Sequence, residues 1–525
     1  MTHVTHNPPG PAAADLAAEP TQSGWLGDLE QAISDGFDPI ASAVSGVIFY
    51  APTIGGVTFP LIVLWLVVAA AVFTVYFRGI QFRSLGTSIG LVRGKFSRET
   101  DPGEVTHFQA LSSAVSGTVG LGNIAGVGAA VTLGGPGATL WMIIAGLLGM
   151  CTKFVECTLG VRYREIHEDG TVTGGPFRYL PVAFARFGRV PTRILTLVFA
   201  VALFFFGVVG GNMFQANQTF AQAREVTGGE DGFLGTAGAA LGFGVVLALL
   251  VGAVIIGGIQ SIGRVTGRLV PAMALVYIVA CLLVIGVNID HVPAAIEAIV
   301  VGAFRPEGVA GGAVGVLIIG FQRAAFSNEA GVGSAPIAHS AAKTRHPVSE
   351  GFVALLEPFI DTVVICTMTA LTIVIADTAY YSEQRGVVAD GGPAPDGVVV
   401  TSDAFETFLP WFPIVLAVAV ALFAFSTLIT WAYYSMKAWT EIFGRSTRSE
   451  NVFKVVFCLF TVVGVVISFG SVIDFADSML FMCAIVNLLA CYLLLPVVRK
   501  ELADYRRGRR DGTITEVPPD ERATA

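Results

Sequence analysis

Apolar runs close to the thickness of a hydrocarbon bilayer core recur along the chain, among them Leu61 to Phe77, Leu195 to Gly211, Leu234 to Ile256 and Ile414 to Ile429. A helix needs roughly 20 such residues to cross the core, so each run reads as a helical span. The balance of the chain agrees: 54% of its 525 residues are hydrophobic and 13% charged, and the mean hydropathy is +0.72. That exceeds what a soluble chain needs to fill its core, so a bilayer is the solvent. The first run does not read as a cleaved signal, because about sixty residues precede it and no basic segment leads in. Cys151, Cys157, Cys281, Cys366, Cys458, Cys483 and Cys491 all fall in apolar runs without metal-ligand spacing and read as small hydrophobes.

Charge orients the spans. No Lys or Arg precedes Arg78, whereas Asp15, Glu19, Asp28, Glu30, Asp35 and Asp38 lie in the leader, which predicts an outside N-terminus. Arg78, Arg83, Arg93, Lys95 and Arg98 then mark an inside loop; Arg162 to Arg193, Arg264 with Arg268, and Lys343 with Arg345 mark later ones. The stretch from Asp377 to Glu406 is acidic and predicted outside, and the basic tail from Arg499 to Arg510 inside. An odd number of spans satisfies both ends.

The expectation is an all-α integral membrane protein of about eleven transmembrane helices, at roughly 60–77, 108–133, 138–163, 192–222, 234–258, 262–287, 311–342, 351–376, 411–441, 452–470 and 474–498. Leu26, Leu29, Ile33, Phe37 and Ile40 recur at helical spacing between acids and predict a helix on the outer surface. Two spans are abnormal. Ser116-Gly-Thr-Val-Gly-Leu-Gly-Asn-Ile-Ala-Gly126 and Phe321-Gln-Arg-Ala-Ala-Phe-Ser-Asn-Glu-Ala-Gly-Val-Gly-Ser-Ala-Pro336 are polar and glycine-dense. With the first span set aside, they open the two halves of a five-plus-five division, as in an inverted repeat whose first helices are discontinuous. The organisation expected is a leader (1–59), an extra helix with its inside loop (60–107), two repeats (108–290 and 291–498) and a basic tail (499–525).

Broken helices free backbone groups in a region without water, which is tolerated where they line a cavity or meet a ligand. A zwitterion suits both ends of such a break: its carboxylate is drawn to N–H groups at a half-helix N-terminus, and its ammonium or a metal cation to carbonyls. Gly117, Gly120 and Gly122 let backbone approach a ligand without an intervening side chain. Tight packing of small residues is the competing explanation for either stretch alone.

At these residues the sequence resembles the alanine or glycine:cation symporter family, through SGTVGLGNIAGV continuing to GGPGA, NMFQAN, and RAAFSNEAGVGSAP. The match spans nearly the whole chain and includes Gly174-Gly-Pro-Phe-Arg-Tyr179 and Phe425-Ser-Thr-Leu-Ile-Thr-Trp431. The resemblance implies a LeuT-type fold and sodium-coupled movement of a small neutral amino acid such as alanine or glycine. Val119-Gly-Leu-Gly-Asn123 is also similar to the broken first core helix of the neurotransmitter:sodium symporters. That likeness implies sodium ligands at Ser116 and Val119 through the main chain, with Phe423, Ser426 and Thr427 as partners. The implied substrate site comprises Gly117, Thr118, Gly120, Leu121, Gly122, Asn123, Gln215, Phe321, Ala324, Phe326, Ser327 and Trp431. Leu121 stands where Thr is expected and Ala324 where Gly is expected, and the second departure is expected to alter how much substrate side chain the pocket admits.

Other polar residues carry two readings each. Ser426 and Thr427 either ligate a cation or bond back to their own helix. Gln215 either meets substrate or, like Asn212 and Asn217, bonds across helices. Trp431 closes a pocket or faces lipid. Lys153 and Glu156, three apart on one helix, are expected to pair. Glu329 is expected in the first turn after the second break, with Ser327 or Asn328 as its cap. Arg323 binds a carboxylate or pairs with an acid. Glu357 and Asp361 flank Pro358, where they form a proton site or cap the opened turn.

The rivals are proton coupling through Glu156, Glu357 or Asp361, a membrane enzyme, and a channel. All seven histidines fall in tails, loops or span ends, no HExxH or P-loop occurs, and matched breaks favour alternating access over a pore. An enzyme, an organic cofactor and a nucleic-acid partner are therefore not expected; sodium is the expected co-transported ion.

Overall fold

In hydrocarbon a backbone must satisfy its own polar groups, and helices do this locally, so the apolar runs become helices. The protein's structure is a computed structural model that describes residues 39–54, 57–305, 312–392, 397–408, 411–466 and 470–523. Most of the surface helix expected through Leu26, Leu29, Ile33 and Phe37 lies outside those residues; a helix over Pro39–Ile48 is described. Among the described residues eight helices are long and apolar enough to cross a membrane, or nine if the bent pair is one span.

In chain order the main helices are α1 (Leu61–Tyr76), the broken α2 (His107–Thr118 and Gly122–Leu133), α3 (Ala138–Arg162), α4 (Arg189–Val226), α5 (Ala237–Ile255) and α6 (Gly258–Val287). The second group comprises the interrupted α7 (Gly312–Asn328 and Ala335–His339), α8 (Pro347–Ala376), α9 (Phe412–Phe443), α10 (Thr447–Val466) and α11 (Phe475–Arg510). The strands are two-residue antiparallel pairs, Thr53–Ile54 with Val57–Thr58 and Glu165–Ile166 with Val172–Thr173.

Helix α3 sits at the centre and is buried along most of its length. Small residues let its neighbours come close: a Cβ on Gly146 would lie 2.9 Å from Thr362 of α8, and one on Gly351 of α8 would lie 2.1 Å from Thr158 Oγ1. By contrast α5 and α6 turn Val246, Leu249, Leu275, Leu282 and Leu283 outward. Apolar surface of this extent suits lipid and not water.

Short helices over Ala379–Ala389 and Gly397–Glu406 lie against the second half of α2. Gly128 and Gly397 meet so closely that a Cβ on Gly128 would stand 2.2 Å from the Gly397 carbonyl. Thr401 Oγ1 donates to the Ile124 carbonyl at 3.0 Å, and Tyr381 donates to that of Val131 at 3.1 Å.

Because the Gly351 position is closed by Thr158 and by the Phe154 carbonyl at 2.8 Å, Gly351→Ala should cost about 1–3 kcal/mol through overpacking. Gly286→Ala, with nothing within 4 Å, should be neutral. Thermal unfolding of the detergent-solubilised variants checks this; equal midpoints would refute the close α3–α8 approach.

Candidate functional site

The site is built where α2 loses its helix. A capping box starts this helix, Thr106 Oγ1 accepting from Gln109 N at 3.2 Å while the Gln109 side chain accepts from Thr106 N at 3.1 Å. The first half ends at Val119, which is extended (φ −75°, ψ 100°) and donates its N–H to the Val115 carbonyl at 2.7 Å. The chain re-enters helix through a wide-turn segment at Gly122–Gly126, and the halves are bent by 55°.

Two polar clusters flank this break. In the first, Thr427 Oγ1 of α9 lies 3.0 Å from both the Ser116 and the Phe423 carbonyls. Ser426 Oγ donates to the Phe423 carbonyl at 2.8 Å, Ser116 Oγ to the Ser426 carbonyl at 2.6 Å, and Thr430 Oγ1 stands 3.1 Å from Ser116 Oγ. The back-bonds of Ser426 and Thr427 to their own helix are both present, yet Thr427 also reaches across to α2. The atoms gathered here are neutral oxygens, the donor set that suits a hard monovalent cation.

The second cluster joins the two broken helices. Asn123 Oδ1 accepts from the Gly120 N–H at 2.8 Å, and its Nδ2 donates to Asp361 Oδ1 at 2.6 Å. Ser327 Oγ and Thr362 Oγ1 donate to Asp361 Oδ2 at 2.9 and 2.7 Å. Asp361 therefore takes three side-chain hydrogen bonds and does not cap the turn at Pro358. It lies in a wide-turn segment over Phe359–Cys366. Sequence reasoning paired it with Glu357 because both flank a proline; that Asp361 joins the two broken helices has no signature in the spacing.

Between the clusters, a Cβ on Gly120 would stand 3.0 Å from Thr427 Oγ1 and 3.9 Å from Gln215 Oε1, and one on Gly122 would stand 3.6 Å from Ser327 Cα. Gln215 Oε1 is buried and accepts no hydrogen bond from the described residues. Its neighbour Asn212 bonds across helices, donating to Phe457 O at 2.8 Å and accepting from Thr461 at 2.8 Å. Trp431 is buried, not lipid-facing, and donates Nε1–H to the Gly117 carbonyl at 3.3 Å. Thr118 returns its hydroxyl to Val115 O of its own helix at 3.2 Å. Leu121 is buried.

The second break lies later than expected. Helix continues through Ser327 and Asn328 to the chain reversal at Glu329 (φ 53°), Gly331 (φ 100°) and Gly333 (φ 88°). Neither Ser327 nor Asn328 caps the next half-helix: Ser327 serves Asp361, and Asn328 Oδ1 accepts from Ala330 N at 3.0 Å. Glu329 precedes that half-helix and accepts a hydrogen bond from Ser334 at its start. Phe321 and Ala324 are consequently buried on intact helix, with Phe326 half-buried. Glu156 Oε2 accepts from Gly331 N at 3.3 Å, and Asn487 donates to Gly331 O at 2.8 Å, so α3 and α11 satisfy this break.

The expected Lys153–Glu156 pair is replaced. Lys153 Nζ lies 3.1 Å from Glu357 Oε2, while Glu156 is used by Asn487 and Gly331. Tertiary packing brings α8 closer to the ammonium than the residue one turn along its own helix. Arg323 lies within electrostatic reach of Asp477.

The model of the sodium:alanine symporter family matches residues 48–518. The chain is 35% identical over 436 residues to the sodium/alanine symporter AgcS of Methanococcus maripaludis, covering 82% of this chain and 91% of that protein. It is 34% identical to the amino-acid carrier protein AlsT of Bacillus subtilis over 442 residues, 84% of this chain and 88% of that one. The solved structure of MhsT in complex with L-phenylalanine superposes with a TM-score of 0.50 at 16% identity, covering 73% of this chain and 88% of that chain, which shows a LeuT-type fold. Family and relatives are transporters and not enzymes, and the chain is a multi-pass membrane protein of this kind. With its broken helices meeting beside one neutral-oxygen cluster, this protein is an amino-acid symporter that belongs to the sodium:alanine symporter family.

Proposed function

We propose that this protein imports a small neutral amino acid, alanine or glycine, together with sodium by alternating access. The observation that carries the proposal is the convergence of Ser116 O, Phe423 O, Ser426 Oγ and Thr427 Oγ1 across α2 and α9. Val119, where the helix opens, completes the proposed ligand set. The substrate lies beside it along Gly117 to Asn123, with Gln215, Trp431 and the face of α7 bearing Phe321, Ala324, Phe326 and Ser327 as walls. The free Gln215 Oε1 suits a substrate ammonium. Residues 108–290 and 291–498 are the two inverted repeats in this reading, and the positive loops put the N-terminus outside and the C-terminus in the cytoplasm.

The deciding experiment reconstitutes the full chain in liposomes and follows labelled alanine, glycine and serine under an inward sodium gradient, with potassium replacing sodium as the control and pH varied in both. Uptake is expected only with sodium; uptake driven by a pH gradient without sodium would instead support proton coupling. Lysine and glutamate should not be carried, because their charged side chains would have to be desolvated without a partner; transport of either at the alanine rate would overturn the small neutral pocket.

Two variants test the placement. Gly120→Val puts carbon where Thr427 Oγ1 already stands 3.0 Å from a Cβ. It should abolish alanine uptake while the protein still reaches the membrane, and normal uptake would remove the α2 break from the site. Thr427→Ala deletes one ligand oxygen at a cost of about 1–3 kcal/mol, or roughly five- to 150-fold in sodium affinity. Coupling is reciprocal, so apparent alanine affinity should fall at fixed sodium and recover when sodium is raised. A loss of the same factor at every sodium concentration would mean that Thr427 acts on substrate or fold.

A further inference from the structure

Sequence reasoning set the histidines aside as lying at span ends, yet two of them are fully enclosed. His107, at the start of α2, and His339, at the end of α7, are 1% and 0% exposed, as buried as Glu350 and Glu357 of α8 at 0% each. Nδ1 of His107 meets one carboxylate oxygen of Glu350, and Nδ1 of His339 meets the other. The remaining ring nitrogen of His339, Nε2, lies 2.6 Å from Glu357 Oε1. The second oxygen of Glu357 faces Lys153 Nζ at 3.1 Å.

A neutral imidazole has one N–H and one bare nitrogen. Here both nitrogens of His339 face carboxylate oxygens, so a neutral ring would press a lone pair against one of them. The contacts are satisfied only when the group of His339, Glu350 and Glu357 holds one proton more than a neutral imidazole and two carboxylates. The surroundings favour that positive charge. Lys153, Glu156 and Cys157 face the group from α3, Glu329 from the α7 break, His107 from α2 and Tyr434 from α9. Arg164 lies within reach of Glu350 while its guanidinium binds the carbonyls of Ser340, Ala342, Thr344 and Pro102. The two carboxylates that touch the ring, Glu350 and Glu357, have Arg164 and Lys153 as the permanent cations nearby, and a protonated His339 gives each of them a donor.

We infer that His339 is a proton-binding site: a proton held between Glu350 and Glu357 clasps the end of α7 and, through Glu350 and His107, the start of α2 onto α8. The proton is bound where both broken helices meet α8, apart from the proposed sodium and substrate positions. Its loss leaves His339 facing a carboxylate without a donor and loosens the two helix ends together.

The test uses full-length protein, labelled with 15N in its histidines, in lipid nanodiscs. The ring resonances that vanish in His339→Gln should show both nitrogens protonated at pH 7.5, and a singly protonated ring there would overturn the inference. Because His339→Gln can fail to fold, Glu350→Gln provides a second assignment. Its amide can donate to His339, so a neutral ring suffices and the same resonances should move to the neutral form. Hydrogen exchange then tests the clasp over residues 107–118 and 335–346. After correction for intrinsic rates, raising the pH until His339 is neutral should speed exchange at least tenfold in the unmodified protein and leave Glu350→Gln unchanged. Equal acceleration in both, or none in the unmodified protein, would overturn the clasp. Neither measurement involves alanine or sodium, so its failure is distinct from failure of the transport reading.

Discussion

Every amide and carbonyl released where α2 and α7 lose their helical geometry has to find a partner inside the protein, because hydrocarbon offers none. The two breaks meet that demand differently. At α7 the partners are supplied by the protein itself: Glu156 of α3 accepts from Gly331 N, and Asn487 of α11 donates to its carbonyl. At α2 the partners are neutral polar side chains. Asn123 takes the Gly120 N–H, and Thr427 reaches the Ser116 carbonyl from α9. A break filled by its neighbours is structural, whereas one bordered by hydroxyls and carbonyls within ligand distance of each other can exchange those contacts for an ion.

The central position of α3 follows from the same demand. It carries Lys153 and Glu156 into the interior, and each is used at a junction with the second group of helices: Lys153 with Glu357 of α8, Glu156 with the α7 break. Removing one partner of a buried charged pair leaves the other uncompensated, which is more costly than the pair is stabilising. These residues therefore hold the register of α3, α7 and α8, while Asp361 ties the α2 break to the helical part of α7 through Asn123 and Ser327.

Much of this architecture was legible before the structure. Bilayer-length apolar runs specify helices because lipid leaves no other local solution, and glycine-dense polar interruptions specify where those helices fail. The meeting of Ser116 with Phe423, Ser426 and Thr427 follows residue by residue from the resemblance of Val119 to Asn123 to known broken helices. Trp431 inside and Asn212 bonded across helices also match expectation. The limits of the second break were less legible, since glycines at 331 and 333 adopt positive φ while Ser327 and Asn328, equally polar, remain helical.

What the sequence by itself determined is periodic or local: helical spans from apolar length, an expected orientation from Lys and Arg, and breaks from glycine and proline. What only the tertiary structure decided is which charge meets which. Lys153 is three residues from Glu156, yet its partner is Glu357, some two hundred residues along the chain. His107 and His339 sit at span ends, where exposure is the ordinary expectation, yet both are enclosed around Glu350. Electrostatic pairing inside a protein depends on distance in space and on the exclusion of water, and neither is written in sequence separation.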